Sequence, residues 1–299
     1  MQKLTILILI ALMAPLAVSA QTPSIIADGA ELQKLGDGFS FTEGPAANSR
    51  GEVFFTDQPN DKIFVWSEVE GVREWATGLG RSNGMYFDRD GALLSTADAE
   101  NEIWAIAPDG SHKVLVRKFD DKEFNGPNDL WVHPTTGDIY FTDPLYARPW
   151  WQHRDKEMQL AGEHVYLLNR ATGKVTLVEN GLQKPNGIIG TPDGRTLYVA
   201  DIGAGETFAY DILPDGSLGN KRFFAPSGSD GMTIDSLGNV YVTGQGVTVF
   251  CPAGEQIAQI DVPERWTANV TFGGAAGNLL FITASGGVYG LRMNVTGGR

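Results

Sequence analysis

Residues 51–57 read GEVFFTD, and similar runs recur five more times along the chain. They are GALLSTAD at 91–98, GDIYFTD at 137–143, GRTLYVAD at 194–201, GNVYVTG at 238–244 and GNLLFITAS at 277–285. Each run begins with glycine and continues with β-branched, aromatic or aliphatic residues, which predicts a β-strand. The glycines lie 40, 46, 57, 44 and 39 residues apart. A repeat of this length has room for four strands, and it predicts an all-β, six-bladed β-propeller with four-stranded blades.

The two ends of the chain predict how the ring closes. The last repeat contains GNLLFIT and GVYGLRM and then ends in NVTGGR, so its fourth strand is missing. Residues 31–35 (ELQKL) resemble the outer strand VREWA of the first repeat. We expect this N-terminal stretch to complete the last blade, which leaves only short sheet edges. The alternative is an open ring of five and a half blades.

Residues 1–20 have the pattern of a secretory signal peptide. Lys3 is the only charged side chain, an apolar run follows it, and Val-Ser-Ala precedes the expected cut after Ala20. The alternative is a membrane anchor, but Pro15 and the shortness of the apolar run argue against it. We therefore expect residues 21–299 to form one propeller domain that is periplasmic or secreted.

The composition argues against nucleic-acid binding, membrane association and disulfide bonds. The formal net charge is −13 and basic residues do not cluster, which argues against nucleic-acid binding. No apolar stretch after the signal is long enough to span a bilayer, so we expect no membrane association once the signal is removed. The single cysteine, Cys251, excludes an internal disulfide, so the fold must be held by its core.

A small polar residue precedes each of the six glycines by eight or nine positions. Equivalent positions of a propeller meet around its central axis, and here no hydrophobic residue occurs among them. In chain order they are Glu43, Asn83, Asn128, Asn186, Asp230 and Asn269. A ring of carboxylate and amide oxygens is what a hard cation such as Ca²⁺ needs.

Four of these residues form the predicted metal site, namely Glu43, Asn128, Asn186 and Asp230, with waters as the remaining ligands. The alternative is that Asn and Asp recur because each precedes a turn and bonds its own backbone. That alternative does not account for Glu43. The ring contains no Cys or His, which argues against a zinc site of the usual kind. The sequence favours one Ca²⁺ and leaves Mg²⁺, Mn²⁺ and Zn²⁺ open.

The 57-residue interval contains an insertion at residues 144–163. It is rich in aromatic and arginine side chains, among them Tyr146, Arg148, Trp150 and Trp151. Because it follows a strand that starts near the axis, it predicts a substrate lid over the mouth of the propeller. The alternative is an ordinary long loop whose tryptophans pack on the propeller edge.

Six motifs, taken as a set, resemble the gluconolactonase, senescence-marker-protein and luciferin-regenerating-enzyme family. They are FTEGP, RSNGMYFDRDG, GPNDLWV, KPNGI, SDGMTID and ANVTFGG, and they follow the family's order over roughly residues 36–292. The resemblance implies a six-bladed propeller with one divalent metal at the mouth of its channel. The family's metal ligands map onto the four residues above, and related diisopropylfluorophosphatase-type propellers also use Glu, Asn, Asn and Asp for a catalytic calcium.

The resemblance also implies substrate contacts. The family's Arg-x-Asn pair, which holds the hydroxyls of a sugar lactone, matches Arg81 and Asn83. Some members carry a His or Glu on the loop of the second blade, and here Asp98 or Glu100 takes that place. Asp143 and Asp201 end strands beside the ring, so they are expected either to orient the neighbouring asparagines or to cap their own strand ends.

The function expected from this resemblance is metal-dependent opening of a small sugar lactone such as gluconolactone. The metal would polarise the lactone carbonyl while water attacks it, with Asp230 either accepting the proton or only positioning the water. Trp150 or Trp151 would stack on the sugar, and His153 is a further candidate contact. The alternatives are a hydrolase of the same fold that acts on phosphotriesters or other lactones, and a non-enzymatic, calcium-stabilised binding propeller.

Overall fold

The structure, a computed structural model, describes residues 24–151 and 157–298. The predicted signal peptide with its cut after Ala20, and His153, lie outside these ranges and stay predictions. Across the described ranges the chain is built from strands, with one short 3-10 helix, η1 (Gln58–Asn60). None of the helical structure there has the length and hydropathy that a bilayer crossing requires.

Six four-stranded antiparallel sheets form a ring, as the repeats predict. Strand β1 (Gln33–Asp37) comes first in the chain and belongs to the last blade. Blade 1 contains β2 (Thr42–Ala47), β3 (Val53–Asp57), β4 (Lys62–Ser67) and β5 (Gly71–Thr77). Blade 2 contains β6 (Ser82–Phe87), β7 (Leu93–Ala97), β8 (Glu102–Ile106) and β9 (His112–Val116). A small hairpin of β10 (Lys118–Phe119) and β11 (Lys122–Glu123) leads to the third blade.

Blade 3 contains β12 (Leu130–Val132), β13 (Ile139–Asp143), β14 (His164–Leu168) and β15 (Val175–Glu179). Blade 4 contains β16 (Pro185–Gly190), β17 (Thr196–Asp201), β18 (Glu206–Ile212) and β19 (Leu218–Ala225). Blade 5 contains β20 (Met232–Ile234), β21 (Val240–Gly244), β22 (Gly246–Phe250) and β23 (Gln256–Ile260). Blade 6 contains β24 (Thr267–Gly273), β25 (Leu279–Ala284), β26 (Gly287–Arg292) and, at its outer edge, β1.

The N-terminal strand closes the ring, which confirms the prediction made from the chain ends. Strand β1 pairs antiparallel with β26, so that Gln33 lies opposite Gly290 and Asp37 opposite Gly287. The strand begins two residues later than the predicted stretch, 31–35, and also ends two residues later. Both chain ends therefore stabilise the same sheet.

The core is divided into apolar clusters that lie between neighbouring blades. Where blade 6 meets blade 1, the rings of Phe55 and Phe281 pack with their centroids 5.6 Å apart. Between blades 1 and 2, Phe54 and Trp104 belong to a second buried cluster. Because the sheets are covered by their neighbours, removing one blade would expose apolar surface on both sides. Cys251 is a half-buried free thiol, so no disulfide supplements this packing.

Four of the six axial residues are followed directly by glycine, and crowding at the axis explains the pattern. Gly44 follows Glu43 with a φ of 47°, and a Cβ atom there would overlap the carbonyl oxygen of Asn83. A Cβ atom on Gly231 would overlap the side chain of Asn269. The missing side chains therefore let the inner strands of adjacent blades approach closely enough for their axial residues to meet.

We expect Gly44→Ala to lower the free energy of unfolding by about 3 kcal/mol or more, because positive φ and overpacking each cost about 1–3 kcal/mol. Gly91→Ala is the matched control, since Gly91 also has a positive φ of 84° but nothing lies within 4 Å of its missing Cβ. Gly91→Ala should lower the free energy of unfolding by about 1 kcal/mol. Urea denaturation measures both variants. Equal losses of unfolding free energy in the two would contradict the conclusion that Gly44 is needed for the close approach of the inner strands.

Candidate functional site

The axial polar residues come together at one mouth of the propeller, at or just before the starts of the inner strands. Glu43 and Asn186 are buried, with exposed fractions of 4% and 1%, whereas Asp230 is half-buried. The Asn186 amide Nδ2 donates a hydrogen bond of 2.9 Å to Asp230 Oδ1. Glu43 lies close enough to the Asp230 carboxylate and to the Asn269 side chain for both to influence the pKa of its carboxyl group. The structure thus brings carboxylates and amides of different blades into one cluster.

Buried threonines on second strands hold the backbone of axial residues in the next blade. Thr96 of β7 donates its hydroxyl to the Asn128 carbonyl at 2.8 Å. Thr142 of β13 donates in the same way to the Asn186 carbonyl at 2.8 Å. Both threonines are fully buried, so water does not compete for these bonds. Blades 2 and 3 therefore each position an axial residue of the following blade.

The buried aspartates that end the second strands hold the chain just before the axial residues. Asp143 accepts hydrogen bonds from backbone amides two to three residues before Asn128, and Asp201 does the same before Asn186. The amides are those of Asn125 (3.0 Å) and Gly126 (2.8 Å) for Asp143, and of Gln183 (2.8 Å) and Lys184 (2.9 Å) for Asp201. Asp57 bonds the amides of residues 40 and 41 in the same way, before Glu43. These contacts support a positioning role through the backbone.

The cluster concentrates negative charge where burial keeps water away from the carboxylates. Burial, and then the neighbouring Asp230 carboxylate, raises the pKa of Glu43 well above its ordinary value. Burial also raises the pKa of Asp230, against the opposing hydrogen bonds from Trp266 Nε1, at 2.6 Å, and Asn186. Carboxylates held together in this way are costly to ionise unless a proton or a cation compensates them.

Asp129 is a third carboxylate of this region, and it was not among the predicted site residues. Burial raises its pKa to about 7. Its Oδ2 accepts a 3.5 Å hydrogen bond from Asn269 Nδ2, and it lines a cavity of about 30 Å³ in the channel. The signal was present in the sequence, since GPNDLWV carries Asp directly after Asn128, where FTEGP, RSNGM, KPNGI and SDGMT carry Gly.

The chemistry of these side chains fits an oxygen-liking divalent cation. The Asn186 carbonyl oxygen Oδ1 is buried and has no hydrogen-bond partner within the described ranges, whereas Nδ2 of the same amide donates to Tyr146 and Asp230. A buried amide oxygen without a donor, beside the carboxylates of Glu43 and Asp230, is suited to be a ligand. In the same part of the chain no group of three or more His, Cys, Asp or Glu side chains is spaced to hold a metal. A site here therefore depends on amide oxygens such as those of Asn128 and Asn186.

The first part of the insertion, residues 144–151, crosses the mouth from blade 3 and contacts the blades on either side. We call these residues the strap. The hydroxyl of Tyr146 accepts a 3.1 Å hydrogen bond from Asn186 Nδ2, and its ring lies 4.6 Å from Lys184 Nζ of blade 4. On the other side, Trp150 Nε1 donates to Asp98 Oδ2 of blade 2 at 2.8 Å. The strap therefore lies over the axial cluster rather than along the outer edge of its own blade.

The residues predicted to bind substrate lie around this mouth. Arg81 has a φ of 50°, and its guanidinium lies 4.9 Å from the ring of half-buried Trp150. Asn83, Asp98 and Trp151 are buried, with exposed fractions of 2%, 3% and 2%. The Asp98 carboxylate bonds the strap, a contact that the sequence did not predict. Contact of these five residues with a substrate stays a prediction.

Fold and site together define a six-bladed propeller with an oxygen-rich polar cluster at one mouth. The family model described as SMP-30/Gluconolactonase/LRE-like region matches residues 41–286, and the chain belongs to that family. This confirms the resemblance seen in the six motifs. The family comprises lactone-hydrolysing enzymes, and the chain is accordingly an enzyme of this carboxylic-ester hydrolase class.

Individual relatives agree with this assignment. A gluconolactonase of Zymomonas mobilis is 29% identical over 310 residues, covering 93% of this chain and 86% of the relative. A pentonolactonase of Haloferax volcanii is 26% identical, covering 77% of this chain and 79% of the relative. The solved structure of a gluconolactonase from Xanthomonas campestris is 28% identical with a TM-score of 0.80, covering 92% of this chain and 99% of that one.

Proposed function

We propose that this protein is a metal-dependent lactonase that opens a sugar lactone of the gluconolactone type. The observation that carries the proposal is the buried, unpartnered Oδ1 of Asn186 beside the carboxylates of Glu43 and Asp230. The names of the relatives supply the substrate class. We further propose that the mature chain, residues 21–299, works in the periplasm or outside the cell after loss of its signal.

One divalent ion, with Ca²⁺ the best match to the ligand types, would be held by Glu43, Asn128, Asn186 and Asp230. When bound, such an ion polarises a lactone carbonyl and stabilises the oxyanion that forms on it. The ligand set carries two formal negative charges and two neutral amides, so it compensates a divalent charge without Cys or His.

Asp230 is the residue proposed to handle the proton of the attacking water. The Trp266 indole holds one carboxylate oxygen at 2.6 Å and the Asn186 amide holds the other at 2.9 Å, so the group has a fixed orientation. Burial raises the pKa of Asp230, which makes its carboxylate more basic than one in water, although a bound cation opposes that shift. Accepting the proton and only positioning the water are both compatible with this geometry.

The remaining proposed roles concern the sugar itself. Arg81 and Asn83 would bind hydroxyl or carbonyl oxygens of the lactone, and Trp150 or Trp151 would cover its face. Arg81 packs against Trp150, and its Nη1 donates to the backbone carbonyls of Gln58 and Pro59, so the guanidinium is held at this mouth. Asp98 is proposed at the edge of the same site, where it bonds the strap.

The direct test is acid release from D-glucono-1,5-lactone by residues 21–299 with Ca²⁺ present, measured above the spontaneous rate in the same buffer. We expect turnover that EDTA abolishes and added Ca²⁺ restores. Turnover that EDTA leaves unchanged would contradict the metal mechanism. Failure to open this lactone and a panel of pentono- and hexonolactones, in protein that binds Ca²⁺, would contradict the substrate class.

A further inference from the structure

Asp98 is the point at which the strap is fastened to blade 2. It follows β7 directly, and its side chain is 4% exposed. Its Oδ2 accepts hydrogen bonds from the indole N–H groups of Trp150 at 2.8 Å and Trp151 at 3.1 Å. Arg148 Nε lies 3.5 Å from the other carboxylate oxygen. Three side chains of one short segment thus converge on a single buried carboxylate.

Two contributions stabilise the strap in this position, the hydrogen bonds to a buried carboxylate and the burial of an indole ring. A carboxylate buried without donors is strongly disfavoured, and Asp98 obtains donors from the strap. Trp151 is also almost fully buried, and its ring packs directly on Gly126, where an added Cβ would lie only 3.2 Å from the ring. Lifting the strap would therefore remove charge-assisted bonds and expose an indole in the same step.

The other side of the strap contacts a proposed metal ligand. Tyr146 lies two residues before Arg148, and its hydroxyl accepts a hydrogen bond from Asn186 Nδ2 at 3.1 Å. The same amide nitrogen donates to Asp230 Oδ1 at 2.9 Å. A primary amide has two N–H bonds, and these two acceptors use both. These two bonds fix the plane of the amide, and its Oδ1, which has no hydrogen-bond donor within the described ranges, is held in one direction where a cation can bind.

We propose that the strap is a lid latched to the propeller by Asp98, and that the latched strap orients the Asn186 amide for cation binding through Tyr146. Asp98 and Tyr146 are then positioning residues, one acting on the strap and the other on Asn186. The part that concerns the cation rests on the function proposed above. The latch itself rests only on contacts between residues of this chain.

The latch is tested by hydrogen-exchange mass spectrometry on the backbone of residues 144–151 in full-length mature protein. Asp98→Asn should reduce the protection of this segment, because asparagine cannot pair with Arg148 and offers fewer acceptor sites. The matched control is Asp235→Asn, since Asp235 is a fully buried carboxylate that bonds Asn239 and Tyr241 at the opposite end of β20 from Asp230. Unchanged protection of residues 144–151 in Asp98→Asn would overturn the latch.

The coupling is tested by calorimetric titration with Ca²⁺, which needs no substrate. Tyr146→Phe removes one hydroxyl and should weaken Ca²⁺ binding about 10- to 100-fold, the usual cost of losing a partner of a metal ligand, while residues 144–151 keep their protection. Asp98→Asn should weaken Ca²⁺ binding similarly and lose that protection as well. Unchanged Ca²⁺ affinity in Tyr146→Phe would overturn the coupling. A wild-type protein that binds no Ca²⁺ would overturn the metal proposal instead, and the exchange experiment would still decide the latch.

Discussion

Asp230→Asn should lower kcat/KM for lactone hydrolysis by about 10²–10⁴-fold, the range associated with loss of a general acid or base, while the fold survives. The substitution is nearly isosteric, and the new side-chain oxygen can still accept the hydrogen bond from Trp266. What it removes is one of the two negative charges proposed to hold the cation, together with the proposed proton acceptor. Steady-state acid release and a thermal unfolding curve measure the two parts of this expectation.

The control for charge is Asp211→Asn. Asp211 lies on β18, is paired with Arg222 at 2.7 Å, and has an exposed side chain. Removing the same charge there should leave kcat/KM within about twofold, since exposed ion pairs contribute little. Wild-type turnover in Asp230→Asn would contradict the site assignment outright. Loss of turnover in both variants would indicate an effect of net charge.

A second variant separates the two roles left open for Asp230. Asn128→Ala removes a proposed ligand without removing a charge or a base, so its loss of turnover should be recovered in part at high Ca²⁺. If Asp230 is the base, Asp230→Asn should keep a low kcat even at saturating Ca²⁺. Full recovery of kcat in Asp230→Asn would assign Asp230 to ligation and water positioning only.

The ring and its closure were predictable because they depend on local, repeated signals. A glycine that opens a strand, and a polar residue eight or nine positions before it, fix where each blade starts. The last repeat lacks a fourth strand, and residues 31–35 have the pattern of one. Together these observations predict that the N-terminal stretch completes the last blade. Each of these signals can be recognised by comparing one repeat with the others, so the prediction does not require knowledge of how distant side chains pack.

The contacts across the mouth were not predictable in the same way. Trp150 and Asp98 are 52 residues apart, and their hydrogen bond exists only because blades 2 and 3 are neighbours. The indole of Trp266 reaches Asp230 across 36 residues for a similar reason. Asp129 was predictable only in part. The sequence shows that Asp replaces the glycine found after four other axial residues, but only the crowding at the axis shows that this position lies inside the site.

Removing the cation should destabilise the protein, and the effect should grow as the pH rises. A ligand at 100 times its dissociation constant stabilises the folded state by about 2.7 kcal/mol. For a chain of this size that corresponds to a fall in Tm of roughly 5–10 °C when EDTA removes the ion. Scanning fluorimetry between pH 5 and pH 8, with Ca²⁺ or with EDTA, measures the difference.

The pH dependence follows from the buried carboxylates. Burial raises the pKa values of Glu43 and Asp230, and that of Asp129 to about 7. Without a cation the folded protein keeps protons that the unfolded chain has already released, so its stability falls as the pH rises through this interval. A bound cation replaces those protons and removes most of the penalty. The Tm difference between Ca²⁺ and EDTA should therefore be small near pH 5 and largest near pH 8.

Glu43→Gln provides the matched variant for this experiment. It removes one buried charge and keeps the size of the side chain, so the metal-free protein should lose less stability between pH 5 and pH 8 than the wild type. The same variant should respond less to Ca²⁺, because a charged ligand has been replaced by a neutral one. A Tm difference that does not change with pH in the wild type, or that Glu43→Gln leaves unaltered, would show that these carboxylates are not where the cation binds.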